Sequence, residues 1–138
     1  MKKIIVLMLF VNGIAVSVKA QTKQHKVVFE ITSADTADHR TVLRQISNVI
    51  KDAPGTNIEV VCHGPAILML VKEKTMLAAE MQELKSKYGV DFAACANSMK
   101  KNNLDKSQLV TTAMVVPNGV MEVVRKEEEG WSYIKAGH

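Results

Sequence analysis

The chain has 138 residues, with 18 basic and 14 acidic side chains and a net charge of +4. Three lysines (Lys2, Lys3 and Lys19) fall in the first twenty residues, which hold no acid, so the remainder carries 15 basic against 14 acidic residues, a net of +1. That near-neutral balance, with a Lys100-Lys101 pair instead of a basic patch, argues against a nucleic-acid partner, and two cysteines are too few for a disulfide scaffold.

Residues 1–20 have the pattern of a secretory signal peptide. Lys2-Lys3 is the basic region, Ile4 to Ile14 the apolar region, and Val18-Lys19-Ala20 precedes a cut at Gln21. The apolar run is shorter than the ~20 residues that span a bilayer, so no stable membrane insertion is expected after cleavage. Residues 21–138 are then expected to form a single domain in the periplasm or outside the cell.

Lys26 to Ile31 reads as a buried strand, followed by the polar loop Thr32-Ser33-Ala34-Asp35-Thr36. That loop lacks the glycines that let a backbone wrap phosphate, and Asp35 or Thr36 suits a helix cap. Val42, Leu43, Ile46, Val49 and Ile50 recur at three and four residues and predict a helix that Pro54-Gly55 stops. Asn57 to Cys62 is the second strand. His63-Gly64-Pro65 breaks it and starts a short helix through Leu70. A longer helix is expected from Lys74 to Tyr88, with Leu77, Met81, Leu84 and Tyr88 as its buried stripe and Gly89 as its cap. Val90 to Ala94 is the third strand, and Asn97 or Ser98 begins another short helix. Val110 to Val116 is the fourth strand. Pro117-Asn118-Gly119 turns into a helix from Val120 to Glu129, with Val120, Val123 and Val124 on its apolar face. Trp131 to Ile134 is a short fifth strand.

Strands alternating with helices predict an α/β fold, a parallel sheet covered on both faces. In such a sheet every strand carboxyl end lies on one edge, so Cys62 and Cys95 share that edge. Cys95 should sit at a helix start, where N–H groups and the helix dipole favour thiolate. Asn97 or Ser98 is expected to hydrogen-bond the sulfur or cap the helix, and Lys100 and Lys101 add positive charge. A free cysteine at a strand end is also a common core residue, and this applies with more force to Cys62. Were the second and third strands neighbours, Cys62 and Cys95 could form a reversible redox pair across 33 residues. His63 is expected to face the cleft as a base toward Cys95, an anion ligand or a loop histidine held by hydrogen bonds. Cys62, His63 and Cys95 lack a fourth ligand and C-x₂-C spacing, so no metal is expected. No motif names a cofactor. The methionines suit pliable core packing or a subunit interface.

The Val60-Val61-Cys62-His63-Gly64-Pro65 segment, Tyr88-Gly89-Val90 leading to Cys95-Ala96-Asn97-Ser98-Met99, and the Val116-Pro117-Asn118-Gly119-Val120 turn followed by Gly130-Trp131-Ser132-Tyr133-Ile134 occur in one order and spacing. In these features the chain resembles the DsrE/DsrF-like (YchN-like) sulfur-relay family, in particular its secreted branch. The resemblance covers about residues 26–135. It implies a three-layer α/β/α domain on a five-stranded, mainly parallel sheet and self-association as a trimer or hexamer. It also implies a persulfide-carrying cysteine after the third strand, where Cys95 stands, and a donor or acceptor protein for the sulfur. His63 and Gly64 match a histidine-glycine pair of the secreted branch. The expected site is therefore Cys95, His63 and Cys62 for chemistry, with Gly64, Asn97 and Ser98 lining the ligand side. The alternative function is a non-catalytic oligomeric scaffold with a small cleft near His63.

Overall fold

The computed structural model describes residues 24–138, so the expected signal peptide lies outside the described residues. Strands β1 (Lys26–Ile31), β2 (Asn57–Cys62), β3 (Asp91–Cys95), β4 (Ala113–Val116) and β5 (Ser132–Ala136) form one sheet in the order β4-β3-β2-β1-β5. Every pairing is parallel. Helices α1 (Thr36–Asp52), α2 (Ala78–Tyr88), α3 (Ala96–Lys101) and α4 (Gly119–Glu128) make the connections, with 3₁₀ segments at Gly64–Leu70 and Lys106–Gln108.

The strand order decides which face each helix covers. From β1 to β4 the chain steps one way across the sheet, so right-handed crossovers leave α1, α2 and α3 on one face. The β4-to-β5 connection returns the other way and carries α4 to the opposite face. The two apolar clusters follow this division. Phe29, Ile31, Val60, Cys62, Phe92 and Ala94 pack beneath α1 and α2 with Leu43, Ile46 and Met81. Val28, Val61, Ala93 and Val116 pack beneath α4 with Val123, and Trp131 flanks them. Because β1, β2 and β3 are buried on both faces, their sequences run almost continuously apolar.

Local chemistry accounts for the boundaries. The Asp35 carboxylate accepts the Ala37 N–H and caps α1, and the Asn118 side chain accepts the Val120 and Met121 N–H groups at the start of α4. Two boundaries and two expected burials differ most from expectation. α2 begins at Ala78, because residues 71–77 form turns and an isolated bridge from Val71 to Leu109. Tyr88 is exposed at the end of that helix. β4 begins at Ala113, after a turn that spends Val110 on a hydrogen bond to the Leu70 carbonyl. Val120 is exposed as well, since α4 turns Glu122 and Val123 to the sheet instead. Among the described residues no helix is long and apolar enough to cross a membrane.

Candidate functional site

Cys95 is the last residue of β3 and the residue before α3, paired in register with Val116 at the end of β4. The connections after these two neighbouring strands leave toward opposite faces, α3 to one and α4 to the other. The carboxyl edge at such a divergence is where open α/β sheets hold ligands. The Cys95 sulfur sits between the two helix starts. Burial raises the thiol, but the Ser98 hydroxyl and the Gly119, Ser98 and Asn97 N–H groups around the sulfur outweigh it, and the net shift is downward; the thiol makes no capping hydrogen bond to α3. Both helices therefore present otherwise unsatisfied donors to one sulfur. Only 4% of the residue is exposed.

Ser98 is buried and joins two parts of the site. Its hydroxyl accepts the Gly64 N–H at 2.7 Å and faces the Cys95 sulfur. Gly64 has φ +57°, a left-handed conformation that suits glycine, and it turns its N–H toward Ser98. Gly64 and Ser98 also line a surface cavity of about 110 Å³ with Pro65, Lys101 and Asn102. Two of the three residues expected on the ligand side, Gly64 and Ser98, thus share one wall. Asn97 contributes its backbone; its side chain is exposed and does not cap α3.

His63 follows β2. Cys62 pairs with Ala94, so the next positions along the two strands, His63 and Cys95, fall side by side on the α4 face. Gly119 closes over both. A Cβ at position 119 would stand 2.9 Å from the His63 Cβ, closer than packed side chains permit, and a tight 3.2 Å from the Cys95 Cβ. A glycine is therefore needed for α4 to reach the thiol. The His63 Nε2 lies 2.6 Å from Glu30 Oε1, and the Tyr133 hydroxyl donates to Glu30 Oε2 at 2.5 Å. Burial raises the Glu30 carboxyl, but the Tyr133 and His63 hydrogen bonds bring it below its ordinary value. The bond to Glu30 pushes the Tyr133 phenol up to about 12.

The same register corrects the expected cysteine pair. Cys62 and Cys95 share the carboxyl edge, but their side chains leave on opposite faces, Cys62 into the core beneath α1 and Cys95 toward α4. Both thiols are free. Cys62 is wholly buried, and burial alone pushes its thiol up to about 12, so it is a core side chain and not a resolving partner. Among the described residues no group of three or more His, Cys, Asp or Glu side chains is placed to hold a metal ion.

Glu30, Tyr133 and Gly119 escaped the sequence reading. The one local signal was Glu30 itself, an acid in the otherwise apolar run Val27-Val28-Phe29-Glu30-Ile31.

A family model described as the DsrE/DsrF-like family matches residues 25–136. No curated protein matches the chain. Among solved structures, a protein of unknown function from Methanobacterium thermoautotrophicum, MTH1491, is similar, with 28% sequence identity and a TM-score of 0.77. The match covers 81% of this chain and 99% of that one.

Proposed function

The chain belongs to the DsrE/DsrF-like family, and from that premise we propose that it is a secreted sulfur-handling or redox protein whose working atom is the Cys95 sulfur. The observation that carries the proposal is the convergence of the α3 and α4 starts on that sulfur, with the Ser98 hydroxyl beside it. Donors fixed around a sulfur favour its anionic form, and the anion is the nucleophile. As a persulfide carrier, the Cys95 thiolate would attack the outer sulfur of a donor persulfide. The new S–S bond forms at Cys95, the donor's own S–S bond breaks, and the donor leaves as a thiolate. An acceptor thiolate would reverse the exchange. With Cys62 on the other face, a redox role would run through a mixed disulfide with a partner's thiol. Work outside the cytoplasm is supported by the basic, apolar and small-residue order of residues 1–20.

The scaffold reading has its own support. Met114 and Val115 on the edge strand β4 and Val120 and Met121 on the first turn of α4 are exposed, in an arrangement that suits contact with further copies of the chain. Self-association as a trimer or hexamer is compatible with either role.

Incubation with a small-molecule persulfide, followed by intact mass measurement, tests the proposal. The expected result is a gain of one sulfur atom that a reductant removes and that Cys95→Ser abolishes. Equal gain in Cys95→Ser, or no gain in the wild type, would leave the scaffold reading.

A further inference from the structure

Glu30 costs the fold something. Strands disfavour glutamate, and a carboxylate in a mostly buried strand loses hydration. Its two oxygens are nevertheless both committed, one to His63 Nε2 and one to the Tyr133 hydroxyl. Glu30 comes from β1, Tyr133 from β5, and His63 from the residue that follows β2. This hydrogen-bonded chain runs along the α4 face toward Cys95, which stands with His63 beneath Gly119.

We infer that Glu30 and Tyr133 are positioning residues that hold His63 in its Nε2–H form, leaving Nδ1 to take the proton of the Cys95 thiol. This deepens the proposed function and rests on Cys95 being the working thiol. The logic is that of a nucleophile, a base and a third group that orients the base. An anionic Glu30 accepts only a proton-bearing nitrogen, which fixes Nε2 as the donor in the neutral ring. The remaining nitrogen, Nδ1, has no hydrogen-bond partner among the described residues, Cys95 Sγ included, so the transfer requires the thiol and the ring to close that gap. When the proton passes from Cys95 Sγ to Nδ1, the products are a thiolate and an imidazolium, and the imidazolium is stabilised by Glu30. Tyr133 fills the second oxygen of Glu30, so that carboxylate cannot swing away from the ring. The lowered Glu30 carboxyl and the raised Tyr133 phenol agree with this assignment of charge. Other charged groups facing the chain are Lys135 on β5, which adds positive charge at Glu30, and Glu127 on α4, which adds negative charge at Tyr133.

The test is the pH profile of Cys95 alkylation by iodoacetamide in the full chain, read by peptide mass, with the His63 tautomer read by ¹⁵N NMR of the imidazole. Wild-type His63 should be protonated at Nε2 when neutral. Glu30→Gln should shift the alkylation profile upward by about one pH unit, a roughly tenfold loss of thiolate at neutral pH, and should mix the tautomers. Tyr133→Phe, a milder change at a half-exposed position, should shift the profile the same way by a smaller amount. Combining His63→Gln with Glu30→Gln should shift it no further than His63→Gln alone. An unchanged tautomer and profile in Glu30→Gln, or additive shifts in the double variant, would overturn the inference. If the wild type ionises below a free cysteine and Glu30→Gln ionises at the same pH as the wild type, only the positioning roles fail. If the wild type ionises no lower than a free cysteine, the assignment of Cys95 fails as well.

Discussion

Cys62 and Cys95 end neighbouring parallel strands, yet their side chains leave on opposite faces of the sheet. Cys62 is in register with Ala94, one residue short of Cys95, and that single step sends one thiol beneath α1 and the other beneath α4. Side-chain alternation along a strand makes the separation a property of the sheet itself and not of a rotamer.

Under an oxidising glutathione buffer, intact mass should therefore show no loss of two hydrogens. Cys62→Ala should leave Cys95 alkylation at its wild-type rate while lowering stability by about 1–2 kcal/mol, the cost of a small cavity in a packed core. An intramolecular disulfide in non-reduced peptide maps would contradict this.

Gly119 is the point where α4 meets the site. Alanine is the better helix former, so Gly119→Ala on an unobstructed helix would stabilise. Here the added methyl meets His63 and Cys95. Denaturant unfolding should show a loss of about 1–3 kcal/mol, the usual cost of overpacking, and Cys95 alkylation should change with it. A stabilised variant would mean that α4 does not close over the thiol.

Ser98→Ala removes the acceptor of the Gly64 N–H and a donor to the Cys95 sulfur in one change. Leaving that part-buried N–H unpaired should cost about 1 kcal/mol. Ionisation of Cys95 should move to higher pH, whereas Asn97→Ala should not move it, because Asn97 acts through its backbone. Equal effects of the two substitutions would contradict the assignment.

The order of strands and helices was legible because each apolar run ends at a turn residue: Pro54-Gly55, Gly64-Pro65, Gly89 and Pro117. The placement of Cys95 at a helix start was legible for the same reason. Which face each cysteine takes was not. Val60 and Val61 are both fully buried, so β2 shows no alternation from which a face could be read. Glu30 and Tyr133 are 103 residues apart and meet only because β5 returns to pair with β1. Residue 119 read as a turn glycine, and its close approach to His63 and Cys95 depends on α4 crossing the sheet alone.

The far end of α4 is held by a buried ion pair. Lys126 Nζ lies 2.7 Å from Glu59 Oε2 and 4.5 Å from the centre of the Trp131 ring, and neither Glu59 oxygen has a well-aligned hydrogen-bond partner. Burial raises the Glu59 carboxyl, and Lys126 offsets this only in part. A carboxyl raised in the folded state binds its proton more tightly there than in the unfolded chain. Its contribution to stability is thus fully present below the unfolded value near 4.5 and is lost as pH rises through the folded value. Lys126→Met should strand the carboxylate, cost about 3–5 kcal/mol near neutral pH, and recover part of that loss on acidification. Urea unfolding at several pH values checks this, and a loss independent of pH would contradict it.

The most direct test of the account is the ionisation of Cys95 itself, followed by the ultraviolet absorbance of its thiolate as the difference between wild type and Cys95→Ser. This reading does not depend on reagent access to a nearly sealed sulfur. The account predicts a midpoint below the ~8.5 of a free cysteine. A midpoint at or above that value would contradict it.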